Sequence, residues 1–186
     1  MQHRFDETKT TQAAARFLRL AGGELNYMLL IKLLYMLDRE ALLRWGRPVT
    51  FDTFYSMYLG PMLSTVHDLV TEPPIPQEDS IWNEVISSPG NYSVKLMKEI
   101  GTERLSEAED ELIDQLFAKF GGPYKNRPFD LVNLLHSTLP EWKKVEKGER
   151  LPIAIKDILL AGKKSAEDIR AIEDELEGLG IMRMFA

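Results

Sequence analysis

Catalysis or metal binding would have to start from nucleophiles, acid–base groups and ligands at suitable spacing, and this sequence offers few. There are three histidines, His3, His67 and His136, and no cysteine. The histidines lie far apart, and none has a second histidine three or four residues on, the spacing that puts two ligands on one helix face. His67 is followed by Asp68, and His136 stands at the end of an apolar helical stretch, near Trp142. Without cysteine, disulfides, thiolate metal sites, iron–sulfur clusters and thiol nucleophiles are excluded. The serines fall in no G-x-S-x-G elbow. There is no phosphate-cradling G-x-x-x-x-G-K-[ST] or G-x-G-x-x-G loop. Gly22-Gly23 and Gly121-Gly122-Pro123 stand where helices end. A nucleotide-dependent or hydrolytic enzyme therefore has no support in the sequence, and no cofactor and no metal are expected.

The elements that must position any working residue are mostly helical. Thr10–Leu20 has apolar residues at helical spacing. A long helix is expected over about Leu25–Trp45, nearly continuous in apolar residues from Tyr27 to Leu37 and so buried on most sides. Gly46 closes it and Pro48 blocks its continuation. In that helix Leu33, Leu34, Tyr35 and Trp45 are expected in the core. Phe51–Tyr58 reads as an aromatic-rich strand, and Gly60-Pro61 as a turn with Pro61 opening a helix over Met62–Val70. Thr71–Asp79, with three prolines, reads as a loop. Ile81–Ser87 and Tyr92–Lys98 read as a hairpin joined by a type II turn at Ser88-Pro89-Gly90-Asn91. Ser106 and Glu109 form a capping-box pattern opening a helix over Glu107–Phe120. Prolines open further helices over Pro128–Ser137, Pro140–Lys147 and Pro152–Leu160. Ser165 caps a last helix ending at Gly178, and the apolar Ile181–Phe185 either packs back or meets a partner.

These elements sum to an α+β class, predominantly α-helical, with six to eight helices and a small three-stranded antiparallel sheet or hairpin. Residues 10–186 are expected to form a single domain, with residues 1–9 a mobile N-terminal tail.

Of 186 residues 23 are basic and 29 acidic, a net charge of −6, and 44% are hydrophobic. That composition suits a globular chain with a sizeable core. No apolar run reaches the roughly 18 residues of a membrane helix, and the first eleven residues carry no signal-peptide core. A cytoplasmic protein with no membrane partner is expected. The acidic balance disfavours nucleic-acid phosphates and suits a basic protein partner. Two acidic runs stand out: Glu103, Glu107, Glu109, Asp110, Glu111 and Asp114, then Glu167, Asp168, Glu173, Asp174, Glu175 and Glu177. Each is either a solvated helix face or a steering surface. The basic residues Lys143, Lys144, Lys147 and Arg150 alternate with Glu141, Glu146 and Glu149, so their local charge nearly cancels. The order helix, short strand, helix, hairpin is compatible with a winged helix, which leaves a DNA-binding transcriptional regulator that also controls its own operon as the alternative function.

The segment Lys32-Leu33-Leu34-Tyr35-Met36-Leu37-Asp38-Arg39-Glu40-Ala41-Leu42 is followed by Gly46-Arg47-Pro48-Val49-Thr50 and then by Tyr55-Ser56-Met57-Tyr58-Leu59-Gly60-Pro61-Met62. Leu105-Ser106-Glu107-Ala108-Glu109 and the stretch from Leu134-Leu135-His136-Ser137 to Pro140-Glu141-Trp142 come later. In order and spacing these resemble the Panacea, or SocA-like antitoxin, domain over about residues 10 to 160. Met62 stands where that domain usually has valine. The resemblance implies a bacterial or phage antitoxin that is not an enzyme and that neutralises a cognate protein toxin by direct contact. It also implies toxins that attack translation, including tRNA-modifying, alarmone-synthetase-like enzymes. The implied assembly is a hetero-oligomer with the toxin, with self-association as the other oligomeric form. Aromatic anchors with a polar rim favour Tyr55, Tyr58, Gly60, Pro61 and Trp142 as toxin contacts.

Overall fold

A central helix organises the molecule. The computed structural model describes residues 5–72 and 79–184, with side chains to residue 180. Helix α2, Tyr27–Trp45, is capped by Asn26, whose side chain accepts hydrogen bonds from the Met28 and Leu29 amides. It ends where Gly46 turns left-handed at φ 73°. Between these caps Leu29, Leu30, Ile31, Leu33, Leu34, Tyr35 and Leu37 are fully buried. Helices α1 (Glu7–Leu20), α3 (Ser64–Thr71), α5 (Glu107–Leu116), α7 (Pro128–Thr138) and α8 (Ile155–Ala161) all pack on α2. A single apolar cluster runs through them. The remaining helices are α4 (Ile81–Val85), the one-turn α6 (Gly122–Tyr124), which follows a π-helical segment Phe117–Gly121, and α9 (Ala166–Met184).

Two small antiparallel sheets complete the fold. Strand β1 (Glu24–Asn26) pairs with β4 (Ser93–Lys95), Leu25 opposite Val94. Strands β2 (Phe54–Met57), β3 (Gly60–Leu63) and β5 (Leu151–Pro152) form the order β3-β2-β5. The expected class, a predominantly helical α+β chain with a small three-stranded antiparallel sheet, is thus observed; β2 lies within the expected strand Phe51–Tyr58, while β3 and β5 are strands that were not expected.

Several local expectations are corrected. Helix α1 starts at Glu7, capped by Asp6, whose side chain accepts from the Lys9 amide. Residues 6–9, expected in a mobile tail, therefore belong to the helix and its cap. Residues 1–4 of that tail, and residues 73–78 of the expected loop, lie outside the described residues, as do the side chains of Ile181–Phe185. Trp45 is 37% exposed, so it lies outside the core that holds Leu33, Leu34 and Tyr35. Gly60-Pro61 does not open a helix. It continues into β3 after the two-residue turn Tyr58-Leu59, with Met57 opposite Gly60 and Ser56 opposite Pro61. Proline is tolerated because β3 is an edge strand.

Ile81–Val85 is helical rather than extended. Ser80 Oγ caps it at the Asn83 amide and also donates to Glu7, while Trp82 and Val85, three residues apart, bury against α1. The hairpin turn is formed two residues later than expected, at Gly90–Ser93. Asn91 and Tyr92 both have positive φ, 51° and 63°, and Gly90 and Ser93 exchange hydrogen bonds across them, the pattern of a type I′ turn. With a helix over Ile81–Val85, the first arm of the expected hairpin shortens to residues 86–90, which still meets the second arm through Ile86 opposite Leu96 and the Ser87 amide donating to the Lys95 carbonyl. Residues 140–147 form no helix, because tertiary partners take their side chains and backbone, as described next.

Candidate functional site

Lys32, Tyr35, Asp38, Arg39, Asp52 and Glu141 are ionisable groups buried in or beside α2. Lys32 is fully buried, and its Nζ donates to the Pro61 carbonyl at 2.8 Å. Burial brings its amine down to about 7. Asp38 is fully buried and accepts from the amides of Val49 and Thr50 and from the Thr50 hydroxyl. Burial pushes its carboxyl up to about 7, against the pull of those hydrogen bonds. Asp52, also buried, accepts from the amides of Thr65 and Val66 and so caps α3 from the preceding loop. Arg39 donates through Nε to Glu141, whose side chain is fully buried, and Glu141 also accepts from the Tyr35 hydroxyl at 3.0 Å. Burial first, and the Glu141 carboxylate second, hold the Tyr35 phenol well above its ordinary range. Each buried charge has a partner, as burial demands.

These groups fix one face. Glu141 pins the segment after α7 to α2. The next residue, Trp142, then stacks on His136 with ring centres 3.8 Å apart and donates from Nε1 to the Met57 carbonyl at 3.1 Å. The Lys143 amide donates to Ser56 Oγ. From the other side Lys32 holds Pro61. Gly60 sits between, with φ 98°, and a Cβ on it would stand 3.1 Å from Lys32 Nζ and 3.3 Å from His136 Nε2. The hairpin β2–β3 is thus clamped by α2 and by the α7–β5 connection, and His136 Nε2 is left buried without a hydrogen-bond partner among the described residues.

The expected contact residues share this region but not its exposure. Tyr58, at the turn, is 49% exposed. Tyr55 and Trp142 are half-buried, and Gly60 and Pro61 are buried. Gly60 and Pro61 thus present little side-chain surface, while Tyr58 presents the most of the five. His67 pairs with Asp68 at 3.1 Å on α3, apart from the stacked His136. Among the described residues no group of three or more His, Cys, Asp or Glu is placed to hold a metal ion.

The two acidic runs have different fates. On α5, Glu109 pairs with Lys9, and Asp110 and Asp114 with Arg16, while Glu103 accepts from Gln12. Much of that run is spent holding α1. On α9, Glu173, Asp174 and Glu177 face a cleft of about 740 Å³ whose other walls come from Asp52–Tyr55 and Pro152–Ile155. In the basic segment, Arg150 is paired with Asp68.

Sequence reasoning missed the buried ions. A lysine, an aspartate and an arginine inside a helix otherwise apolar all round were the available signal. No helix of the described residues is long and apolar enough to cross a membrane. A family model described as the antitoxin SocA-like, Panacea domain, matches residues 30–143, which run from α2 through Lys143 and include Lys32, Gly60, His136, Glu141 and Trp142. No curated protein and no solved structure matches the chain. By that match, over more than half of its length, the chain belongs to the SocA-like antitoxin family of Panacea domains.

Proposed function

We propose that this antitoxin-family chain neutralises a cognate protein toxin by direct binding and without catalysis, through the face around Tyr55, Tyr58 and Trp142. The supporting observation is an exposed tyrosine on a turn fixed from beneath: Lys32 holds Pro61, and Trp142 holds Met57. A preorganised aromatic anchor binds with little ordering cost, and tyrosine is a preferred hot-spot residue. Toxins that attack translation through tRNA must carry basic surface, and a chain of net charge −6 suits such a partner. We infer a toxin of that kind, resembling alarmone synthetases.

Tyr58→Ala is the test. Tyr58 makes no hydrogen bond among the described residues and is half exposed, so its loss leaves the fold intact. As a hot spot it is worth about 2 kcal/mol or more, roughly a thirtyfold weaker complex. Rescue of toxin-arrested growth is expected to fail, with the melting temperature unchanged. Full rescue by Tyr58→Ala would refute this face as the contact.

A further inference from the structure

The cleft beside β2 has an apolar floor and an acidic rim. Its floor is Tyr55 of β2, Pro152 of β5, Ile153, Ile155 of α8 and Leu176 of α9. Ile153 is tied to β2 through its amide, which donates to the Phe54 carbonyl at 2.9 Å. The rim is Glu173, Asp174 and Glu177 of α9, with no lysine or arginine among the lining residues. None of these three carboxylates has a hydrogen bond or ion pair among the described residues, unlike Glu109, Asp110 and Asp114 of α5. The cleft also borders the exposed β5, where Leu151 is 40% exposed, and it lies on the strand that leads to Tyr58.

We propose that this cleft receives a segment of the toxin that carries a lysine or arginine beside an apolar side chain. The inference rests on the antitoxin reading above and names the chemistry of the partner's docking segment. The occupant follows from complementarity. An apolar side chain fits the floor between β5 and Leu176, and the cation meets the unpaired carboxylates on α9. A second copy of this chain would bring a net charge of −6 to an acidic rim, and a nucleic acid would bring phosphates. Both are repelled where a basic peptide segment is attracted.

The test uses the full-length protein and, as probe, the product of the reading frame adjacent to its gene, tagged for capture. Two doubly substituted variants are compared, Glu173→Lys/Glu177→Lys in the cleft and Glu107→Lys/Glu111→Lys on the exposed face of α5. Each changes the net charge equally, from −6 to −2, since two glutamates become lysines. The cleft variant is expected to lose growth rescue and to be captured on the order of tenfold less, while the α5 variant behaves as the natural protein. Circular dichroism and thermal melting of both variants are expected to match the natural protein, because the substituted side chains are exposed or without partners.

Equal loss in both variants would mean that only overall charge matters and would overturn the cleft. Full capture by the cleft variant would overturn it too. A change in the cleft variant's own oligomeric state, with toxin capture intact, would make a second copy the occupant and overturn the proposal. If the natural protein itself neither rescues nor captures the probe, the antitoxin reading fails and the cleft's assignment falls with it.

Discussion

Replacing Glu141 by alanine removes the carboxylate that ties the segment carrying Trp142 to Arg39 and Tyr35 of α2. The Glu141 side chain is fully buried and Arg39 is 10% exposed, so the pair is shielded from solvent. The carboxylate also satisfies the Tyr35 hydroxyl, which is buried. Removing one member of a buried pair costs about 3–5 kcal/mol, because the remaining charge stays desolvated. Leaving a buried hydroxyl unmatched adds on the order of 1 kcal/mol. By contrast Arg19–Glu99, whose carboxylate side chain is 76% exposed, is a solvated surface pair of the kind that contributes little. Urea unfolding at pH 7 is the assay, read as a shift of midpoint at constant slope. For a chain of this size the thermal shift is roughly 2–4 °C for each kcal/mol. Arg39→Met combined with Glu141→Leu is expected to recover most of the loss, since an apolar pair of similar volume replaces the ions at little net cost. A Glu141→Ala variant within about 1 kcal/mol of the natural protein, or a double variant as unstable as the single, would refute the reasoning.

Two further outcomes follow from the same region. Gly60→Ala is expected to destabilise by about 2–4 kcal/mol, from a strained left-handed backbone and from crowding against Lys32 and His136; urea unfolding measures it, and an unchanged midpoint would contradict the geometry. Lys32 holds its proton in the unfolded chain up to about 10.5 but in the fold only up to about 7. Between those values the unfolded state binds more protons, so stability rises with pH, by up to about 1.4 kcal/mol for each pH unit. The Lys32→Met variant is expected to lack that rise between pH 7 and 9.5 and to be more stable than the natural protein at pH 6; parallel stability curves for the two would refute it.

What was legible in the sequence was local chemistry that leaves a mark on neighbouring residues. Ser106 and Glu109 form the reciprocal cap that their types and spacing announce. Gly46 ends α2 in the left-handed conformation that glycine allows. The apolar run from Met28 to Leu37 is the buried centre that an all-round hydrophobic helix must be. Tertiary contacts overrode weaker local signals elsewhere. Ile81–Val85 is short enough for either period, and the burial of Trp82 and Val85 against α1 selected the helix. Pro140 offered a helix start, but Arg39, 102 residues before Glu141, drew the segment into an extended path. Gly60-Pro61 carried the signature of a helix opening, yet Lys32 reached across to the Pro61 carbonyl and held the pair in a strand.

The candidate site was legible as a neighbourhood. Tyr55, Tyr58, Gly60, Pro61 and Trp142 do lie around one hairpin, but which of them face outward depends on clamps from α2 and from the segment after α7 that no spacing reveals. The division of the acidic runs was hidden for the same reason. Lys9 and Arg16 are about a hundred residues from the carboxylates that they neutralise, and nothing comparable reaches Glu173 or Glu177 among the described residues.

The most direct measurement is growth of bacteria in which the adjacent reading frame is induced with and without this protein, followed by capture of the induced product. Direct neutralisation predicts arrest by the neighbour alone, growth on co-expression, and recovery of the two proteins as one complex. Arrest that co-expression leaves unrelieved, or rescue with no complex recovered, would contradict it.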